Sequence, residues 1–523
     1  MKLKNILVIT VLFVAFIAKS QEVDKKILNW YNGKKYGMET DKAYKKLLSD
    51  RKAKTVIVAV LDSGVDVEHE DLREVIWTNT AEIASNGIDD DKNGYIDDIH
   101  GWNFLGNADG ENINDVQFEM TRIYSDLEKR FKGKSYADLN DEEKVDYDLY
   151  KEVREKVERE IEESKENLDR YTKFCDMFSE SDTRLKKHFG GEYTAKDLKG
   201  LKDARFTKDV SMMKRLYDND SNLEDLVEGK EYFESSLKYH YNTELETRKI
   251  VGDDPNNFED KFYGNSDVEG PEAMHGSHCS GIIAAIRGNG LGGDGVANNV
   301  LIMPIRAVPN GDERDKDIAL GIRYAVDNGA NIINMSFGKA YSPNSIEVIA
   351  AIKYAEEKGV LCVHASGNAG LDIDDQDKNR NFPSPQYPEM SARFTNWIEV
   401  GASTRYKKQL AASFSNYGDK TVDVFAPGLE IYSTVPQSEY IAIQGTSMAA
   451  PMVAGLAALL KGYFPELTMF QIKDIIFKSV QKIDRTTMIP GGDTEVNFSE
   501  LSITGGIVNT YNAVEMAIAM TTK

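Results

Sequence analysis

Three short segments carry an acid, an imidazole and a hydroxyl, the groups that proteins use to transfer protons and attack carbonyl carbons. Asp62-Ser63-Gly64 closes an apolar run; His275-Gly276-Ser277-His278 opens the apolar stretch CSGIIAAI; Gly445-Thr446-Ser447-Met448-Ala449-Ala450-Pro451 precedes VAGLAALL. The last pattern puts a serine at the start of an apolar helix, where backbone N–H groups and the positive helix end favour a developing negative charge. Asp62 would stand at the carboxyl end of a strand, where doubly wound sheets build their sites, although a lone aspartate is weak evidence. Two histidines three residues apart could bind zinc. No glutamate accompanies them in the HExxH sense, however, and the glycine between them suits a metal-binding surface helix poorly.

The elements that must hold these groups are readable from periodicity. TVIVAVL (55–61) is a β-branched run of the length expected of a strand buried on both faces. VLIMPIRAV (300–308), ANIINMSFG (330–338), GVLCVHASGN (359–368) and WIEVGAS (397–403) repeat the pattern. DIALGIRYAVDNG (317–329) and SIEVIAAIKYAEEKG (345–359) have helical spacing and each ends at a glycine, as helices commonly do. Alternating strands and helices predict an α/β fold, a parallel sheet with helices on both faces.

Residues 111–250 differ in kind: they are dense in Asp, Glu, Lys and Arg and, from Val145 onward, place Leu149, Val153, Val157, Ile161, Leu168 and Tyr171 at helical intervals. That spacing predicts a long amphipathic helix in a hairpin or small bundle, a charged helical insertion between the Asp and His segments, rather than disorder. Loop-closure entropy grows slowly with length, so a long insertion there is tolerable.

The acidic run Asp89-Asp90-Asp91-Lys92-Asn93-Gly94-Tyr95-Ile96-Asp97-Asp98 has oxygen-bearing side chains at relative positions 1, 3, 5 and 9 and glycine at 6. This is the front of a calcium loop, with Asp89, Asp91, Asn93, Tyr95 and Asp97 as ligands. Position 12 is His100 and not the bidentate glutamate of an EF-hand. Structural calcium is therefore the reading preferred to a solvated acidic turn.

The three segments, in the order Asp, His, Ser, resemble the subtilisin family of serine proteases; that order is neither the chymotrypsin nor the α/β-hydrolase one. The resemblance spans about residues 55–110 and 251–515, including ASFSNYG (412–418), VDVFAPG (422–428) and GGIVNTYNAV (505–514), and omits the charged interval. It implies a subtilisin-like peptidase domain in which Ser447 is the nucleophile, His275 the base and Asp62 its orienting partner, with His278 a structural neighbour. Asn368, in Ala365-Ser366-Gly367-Asn368, would be the oxyanion-hole donor. Ser336-Phe337-Gly338 would pair with substrate backbone as an added strand, and Ala365, Ser366 and Gly367 would form the opposite wall of the specificity pocket. An apolar or aromatic residue before the cut is then expected. Asp71 falls where the family places a calcium-binding carboxylate. The partners implied are protein or peptide substrates.

The remaining expectations concern compartment. Lys2 and Lys4, the apolar run Ile6 to Ala18 and small residues near Ser20 have the layout of a secretory signal peptide (1–20), cut near Gln21. The run is short against the ~20 residues that cross a bilayer, so export without stable membrane insertion is expected, to a secreted, periplasmic or cell-surface location. A segment 21–54 precedes the first strand and a tail 516–523 ends the chain. The net charge of -22 disfavours nucleic acid and anionic lipid. Cys175, Cys279 and Cys362 are too few for a disulfide framework, and Cys279 and Cys362 read as small buried hydrophobes.

Overall fold

The structure is a computed structural model and describes residues 26–218, 222–376 and 378–522. The apolar run near the N-terminus, with the signal peptide expected there, lies outside the described residues. The chain divides into two compact units, one comprising residues up to Asn114 and from Thr247 onward, the other Asp115–Glu246.

In the first unit, β1 (Val56–Asp62), β2 (Trp102–Asn103), β3 (Val300–Arg306), β4 (Ile332–Met335), β5 (Leu361–Ala365), β6 (Trp397–Ser403) and β7 (Val424–Pro427) are followed by the antiparallel pair β8 (Ile431–Val435) and β9 (Glu439–Ile443). β10 (Gln481–Lys482), the small hairpin β11 (Thr486–Met488) and β12 (Glu495–Asn497), and β13 (Gly506–Ile507) complete the set among the described residues. Nine of these strands form one sheet, ordered β10-β13-β7-β6-β5-β4-β1-β3-β2. Its central pairs are parallel, with Asp62 opposite Arg306 and Leu61 opposite Met335; only β10 runs antiparallel, against β13.

Both faces are covered, which is why the strands read as unbroken apolar runs. Val56, Val58 and Val60 join a core with Ile282 and Ile283 of the helix Met274–Ala284 and with Leu456 to Leu460 of the helix Thr446–Tyr463. Leu61 points the other way, towards Gly321 of the helix Asp315–Asp327, where an added methyl would come within 2.7 Å of its side chain. The segment before β1 belongs to this core as well. Tyr31 and Met38 are fully buried, Tyr31 Oη and Asn32 Nδ2 donate to Asp294 O, and Thr510 N donates to Met38 O.

The second unit is helical: Glu119–Phe131, Asp141–Phe189, Ala195–Gly200, Thr207–Tyr217 and Leu223–Ser235. The 49-residue helix Asp141–Phe189 starts at a capping box between Asn140 and Glu143 and stops at Gly190, whose φ of 77° suits glycine. Val153 and Val157 are buried as expected, whereas Leu149, Ile161, Leu168 and Tyr171 are half-buried. The buried positions instead run through Tyr150, Ser164, Cys175, Phe178, Ser181 and Leu185.

Candidate active site

Asp62 is the last residue of β1, and His275 the second of the helix Met274–Ala284. Asp62 Oδ1 lies 2.7 Å from His275 Nδ1. A carboxylate only accepts, so the imidazole carries its proton on Nδ1 and Nε2 is the basic nitrogen. Burial opposes charging this histidine, but the negative charge and hydrogen bond of Asp62 outweigh it and hold its pKa above the ordinary imidazole value. Asp62 Oδ1 also accepts from Ser63 N at 2.8 Å.

Ser447 is the second residue of the helix Thr446–Tyr463, and its Oγ donates to Ser336 O at 3.1 Å. Pro451 stands four residues on, inside the helix, and has no N–H to give to Ser447 O. Ser336 Oγ (2.9 Å) and Cys279 Sγ (3.4 Å) donate to that carbonyl instead. The proline thereby ties the turn carrying Ser447 to the end of β4 and to the helix carrying His275. Cys279, one helical turn after His275, also comes within 4.8 Å of the Asp62 and His275 donor atoms. The carboxylate and imidazole engage each other, which leaves this trio poorly suited to a metal. Burial pushes the Cys279 thiol up, away from thiolate character.

Asn368 follows β5 with its Oδ1 accepting from Thr446 N (2.8 Å) and Thr446 Oγ1 (2.9 Å). The carboxamide oxygen is thus held by the helix start, and Nδ2 is the amide's donor. A methyl placed on Gly445 would lie 3.5 Å from both Asn368 Nδ2 and Ser447 N, so the two donors converge on one region. Asn416 braces this loop: its Oδ1 accepts from Ala369 N and Leu371 N, and its Nδ2 donates to Ser366 O.

His278 is fully buried, its Nε2 3.1 and 3.3 Å from the carbonyls of Ile431 and Ile441, and burial lowers its pKa to about 3. It is a neutral structural imidazole. Ser336, Phe337 and Gly338 extend beyond β4 with Gly338 exposed, and Ala365 ends β5 ahead of Ser366 and Gly367.

The acidic loop contributes to one set of hard oxygen donors. Asp91 converges with Glu82 and Asp98, one ligand atom of each lying within 4.8 Å of the others. Burial raises Asp98 to about 6 against hydrogen bonds from Tyr324, Asn79 and Asn93. Asp89 accepts from the amides of Asn93 and Gly94, Asp97 from those of Asn86 and Gly87, and the Tyr95 ring packs on Trp102 and Tyr324. Asn93 donates to Asp91 and Asp98. Glu82 and Asp98 were not singled out from sequence, because only the fold brings Glu82 to the loop. Separately, Asp71 Oδ1 accepts from Ile286 N and Asn289 Nδ2, and its buried Oδ2 meets no partner among the described residues. An unsatisfied buried carboxylate oxygen fits a hard cation such as calcium.

What the fold and these contacts define is a parallel α/β protein that gathers an Asp–His pair, a helix-start serine and an asparagine amide at its strand ends. Residues 53–498 match the Subtilase family, and the chain belongs to that family. It is similar to a thermophilic serine proteinase of Bacillus sp. (strain AK1), 37% identical over 52% of this chain and 58% of that one. It is also similar to thermitase of Thermoactinomyces vulgaris, 40% identical over 36% of this chain and 60% of that one. Subtilisin Savinase of Lederbergia lenta is 35% identical over 42% and 74%. The chain spans less than two thirds of the length of the first two. Among the described residues no helix is long and apolar enough to cross a membrane.

Proposed function

We propose that this chain is an exported serine endopeptidase that hydrolyses peptide bonds in proteins through an acyl-enzyme on Ser447. The observation that carries the reading is the 2.7 Å contact between Asp62 and His275, on a helix whose Cys279 donates to the carbonyl of Ser447 at the N-terminus of another. Ser447 Oγ attacks the scissile carbonyl while His275 Nε2 takes its proton, and Asp62 steadies the imidazolium that forms. Ser447 N and Asn368 Nδ2 donate to the oxyanion. The imidazolium then protonates the leaving amine, and water, deprotonated in the same way, releases the acyl group.

Ser336 to Gly338 receive the substrate strand and Ala365 to Gly367 face it across the pocket. Calcium at Asp71, and at Glu82, Asp91 and Asp98 with the neighbouring Asp89, Asn93, Tyr95 and Asp97, would neutralise buried carboxylates and rigidify the loops. Its role is structural. Export is supported by the layout of the first twenty residues and by the secretory habit that the family resemblance implies.

The test is labelling by a serine-directed fluorophosphonate together with hydrolysis of an unfolded protein. Both are expected from the full chain and both should vanish in Ser447→Ala at unchanged melting temperature. Labelling that survives in Ser447→Ala removes the assignment.

A further inference from the structure

The two segments read as pocket walls do not enclose an empty slot. Asn381, from the loop after β5, reaches between them. Its Nδ2 donates to Ser366 O at 3.0 Å and to Ala365 O at 3.3 Å, which ties the carboxamide to one wall. Its Oδ1 faces the other: a methyl built on Gly338 would lie 2.5 Å from that oxygen, and one built on Gly367, though it would meet Asn416 Nδ2 first at 2.5 Å, would lie 3.5 Å from it. The same atom therefore sits close to the side-chain directions of both wall glycines. The backbone behind it is fixed as well, because Lys339 N donates to Phe382 O (2.9 Å) and Phe382 N to Lys339 O (2.8 Å). Asn381 is thus pinned beside the 336–339 segment by main-chain bonds and across the gap by its side chain.

Glycines on facing walls leave room for a flat side chain between them, and here a carboxamide fills part of that room. We propose that Asn381 is the specificity-determining residue of the pocket, restricting the residue before the scissile bond to a small side chain such as Ala, Gly or Ser. This rests on the endopeptidase reading and narrows the apolar or aromatic preference expected from sequence. A methyl group stops short of the carboxamide. An aromatic ring would have to displace it, breaking both bonds from Nδ2 and leaving Ala365 O without that donor, a cost a small residue does not meet. Ser366 O would keep the bond from Asn416.

The experiment compares two peptide p-nitroanilides that differ only in alanine or phenylalanine before the cut, using the full chain and Asn381→Gly. The unchanged protein should favour alanine in kcat/KM by at least ~10-fold, and Asn381→Gly should move that ratio towards phenylalanine by at least ~10-fold. A purely structural role would lower both substrates together and leave the ratio where it was, which would overturn the proposal. So would a preference of the unchanged protein for phenylalanine. Should Asn381→Gly not fold, the cut sites made by the unchanged protein in an unfolded substrate decide: mostly after Ala, Gly or Ser supports it, mostly after Phe, Tyr, Leu or Met overturns it. If neither peptide is turned over and Ser447 takes no fluorophosphonate, the endopeptidase reading has failed and this inference falls with it. Labelled protein that prefers phenylalanine sinks the inference alone.

Discussion

The two units of this chain are stabilised in different ways. The larger one buries a large continuous core that runs from Tyr31 through β1 and the helix Thr446–Tyr463 to Ala517, beside a second cluster around Ile373, Phe425, Phe498 and Ile507. The helical unit has two separate small clusters, Leu127, Phe131, Leu139 and Tyr150 in one, and Phe178, Leu185, Tyr193, Leu198, Met212, Met213 and Leu216 in the other. Along its long helix the solvent side carries exposed pairs such as Lys144–Asp141, Arg154–Glu158 and Lys173–Asp169. Exposed pairs of that kind contribute roughly 0.2–0.5 kcal/mol each. Every group proposed for chemistry stands on the side with the continuous core, where rigid strand ends hold it. The helical side carries none and rests on caps, propensity and short-range packing, which sets it at the low end of local stability.

The sharpest way to break that picture is at the two histidines, which share one helix. His275→Ala should lose all fluorophosphonate labelling in protein that still folds, while His278→Ala should keep labelling in whatever remains folded and lose about 1–3 kcal/mol, because two carbonyls lose a buried donor. Equal loss of labelling with native melting in both would overturn the choice of base. The pH profile checks the same pair. Asp62 raises the folded pKa of His275 above its unfolded value, so the basic form dominates only at higher pH, and the acid limb of kcat/KM should have its midpoint above the ordinary imidazole value. By linkage, the stability from this pair is complete below the unfolded pKa and is lost as pH rises through the folded one. In Asp62→Asn both raising causes are gone, and the midpoint of the residual activity should fall.

Next in size are core truncations, one per unit. Leu459 and Leu185 are both fully buried, and either change to alanine should cost about 2–5 kcal/mol locally. Leu459→Ala should lower the temperature at which peptide turnover disappears. Leu185→Ala should instead produce a separate, earlier loss of helical circular dichroism with turnover retained above it. One shared transition in Leu185→Ala would show that the helical unit has no stability of its own.

How much of this was legible beforehand follows the same divide. WIEVGAS was read as 397–403 and is β6 over those residues, since a strand buried on both faces leaves no ambiguity of period. The helix read over 317–329 runs over Asp315–Asp327, because the chain turns at Asn328 before the glycine. β9, with no fully buried residue, and the two-residue β10 and β13 had no pattern to read. In the long helix a stripe was expected through Leu149, Val153, Val157 and Ile161, but each four-residue step advances about 40° around a helix of 3.6 residues per turn, and burial moves from Val157 to Ser164 and Cys175. Asp62, His275 and Ser447 were legible because short local motifs carry them. Glu82, Asn381 and Asn416 were not, because each acts on residues that only tertiary structure brings near it.

Calcium should discriminate between the units with a smaller effect. A cation that binds only the folded state stabilises it by about 2.7 kcal/mol at a hundredfold excess over Kd. Chelation should therefore lower the melting of the larger unit and leave the earlier helical transition in place, and Asp71→Asn or Asp91→Asn should reduce the chelator's effect. Identical melting with excess calcium and with chelator would reduce both sets to acidic turns.

The smallest effect on catalysis is expected from the largest change, removal of the helical unit. Its ends are already tied into the larger unit by bonds that do not involve it. Asn107 Nδ2 donates to Ile250 O at 2.9 Å, Asn112 Nδ2 to Asp267 Oδ2 at 2.7 Å, and Asn310 N to Asn114 O at 2.7 Å. Arg248 is part of this anchor, its guanidinium donating to both oxygens of Asp317 at 2.8 and 2.7 Å and to Asp253, which also holds Lys316. Replacing residues 115–246 by a short Gly/Ser linker keeps that arginine and should leave turnover of a small chromogenic peptide within about tenfold, or ~1.4 kcal/mol in barrier. Extending the deletion by two residues, through Arg248, leaves the buried Asp317 carboxylate without that cation, with the Tyr263 hydroxyl still donating to it, and should cost about 3–5 kcal/mol of stability. The pair of deletions therefore asks where the framework ends. A folded 115–246 deletion with no small-peptide turnover would mean that the helical unit belongs to the catalytic framework, and equal stability of the two deletions would mean that Arg248 does not anchor the junction.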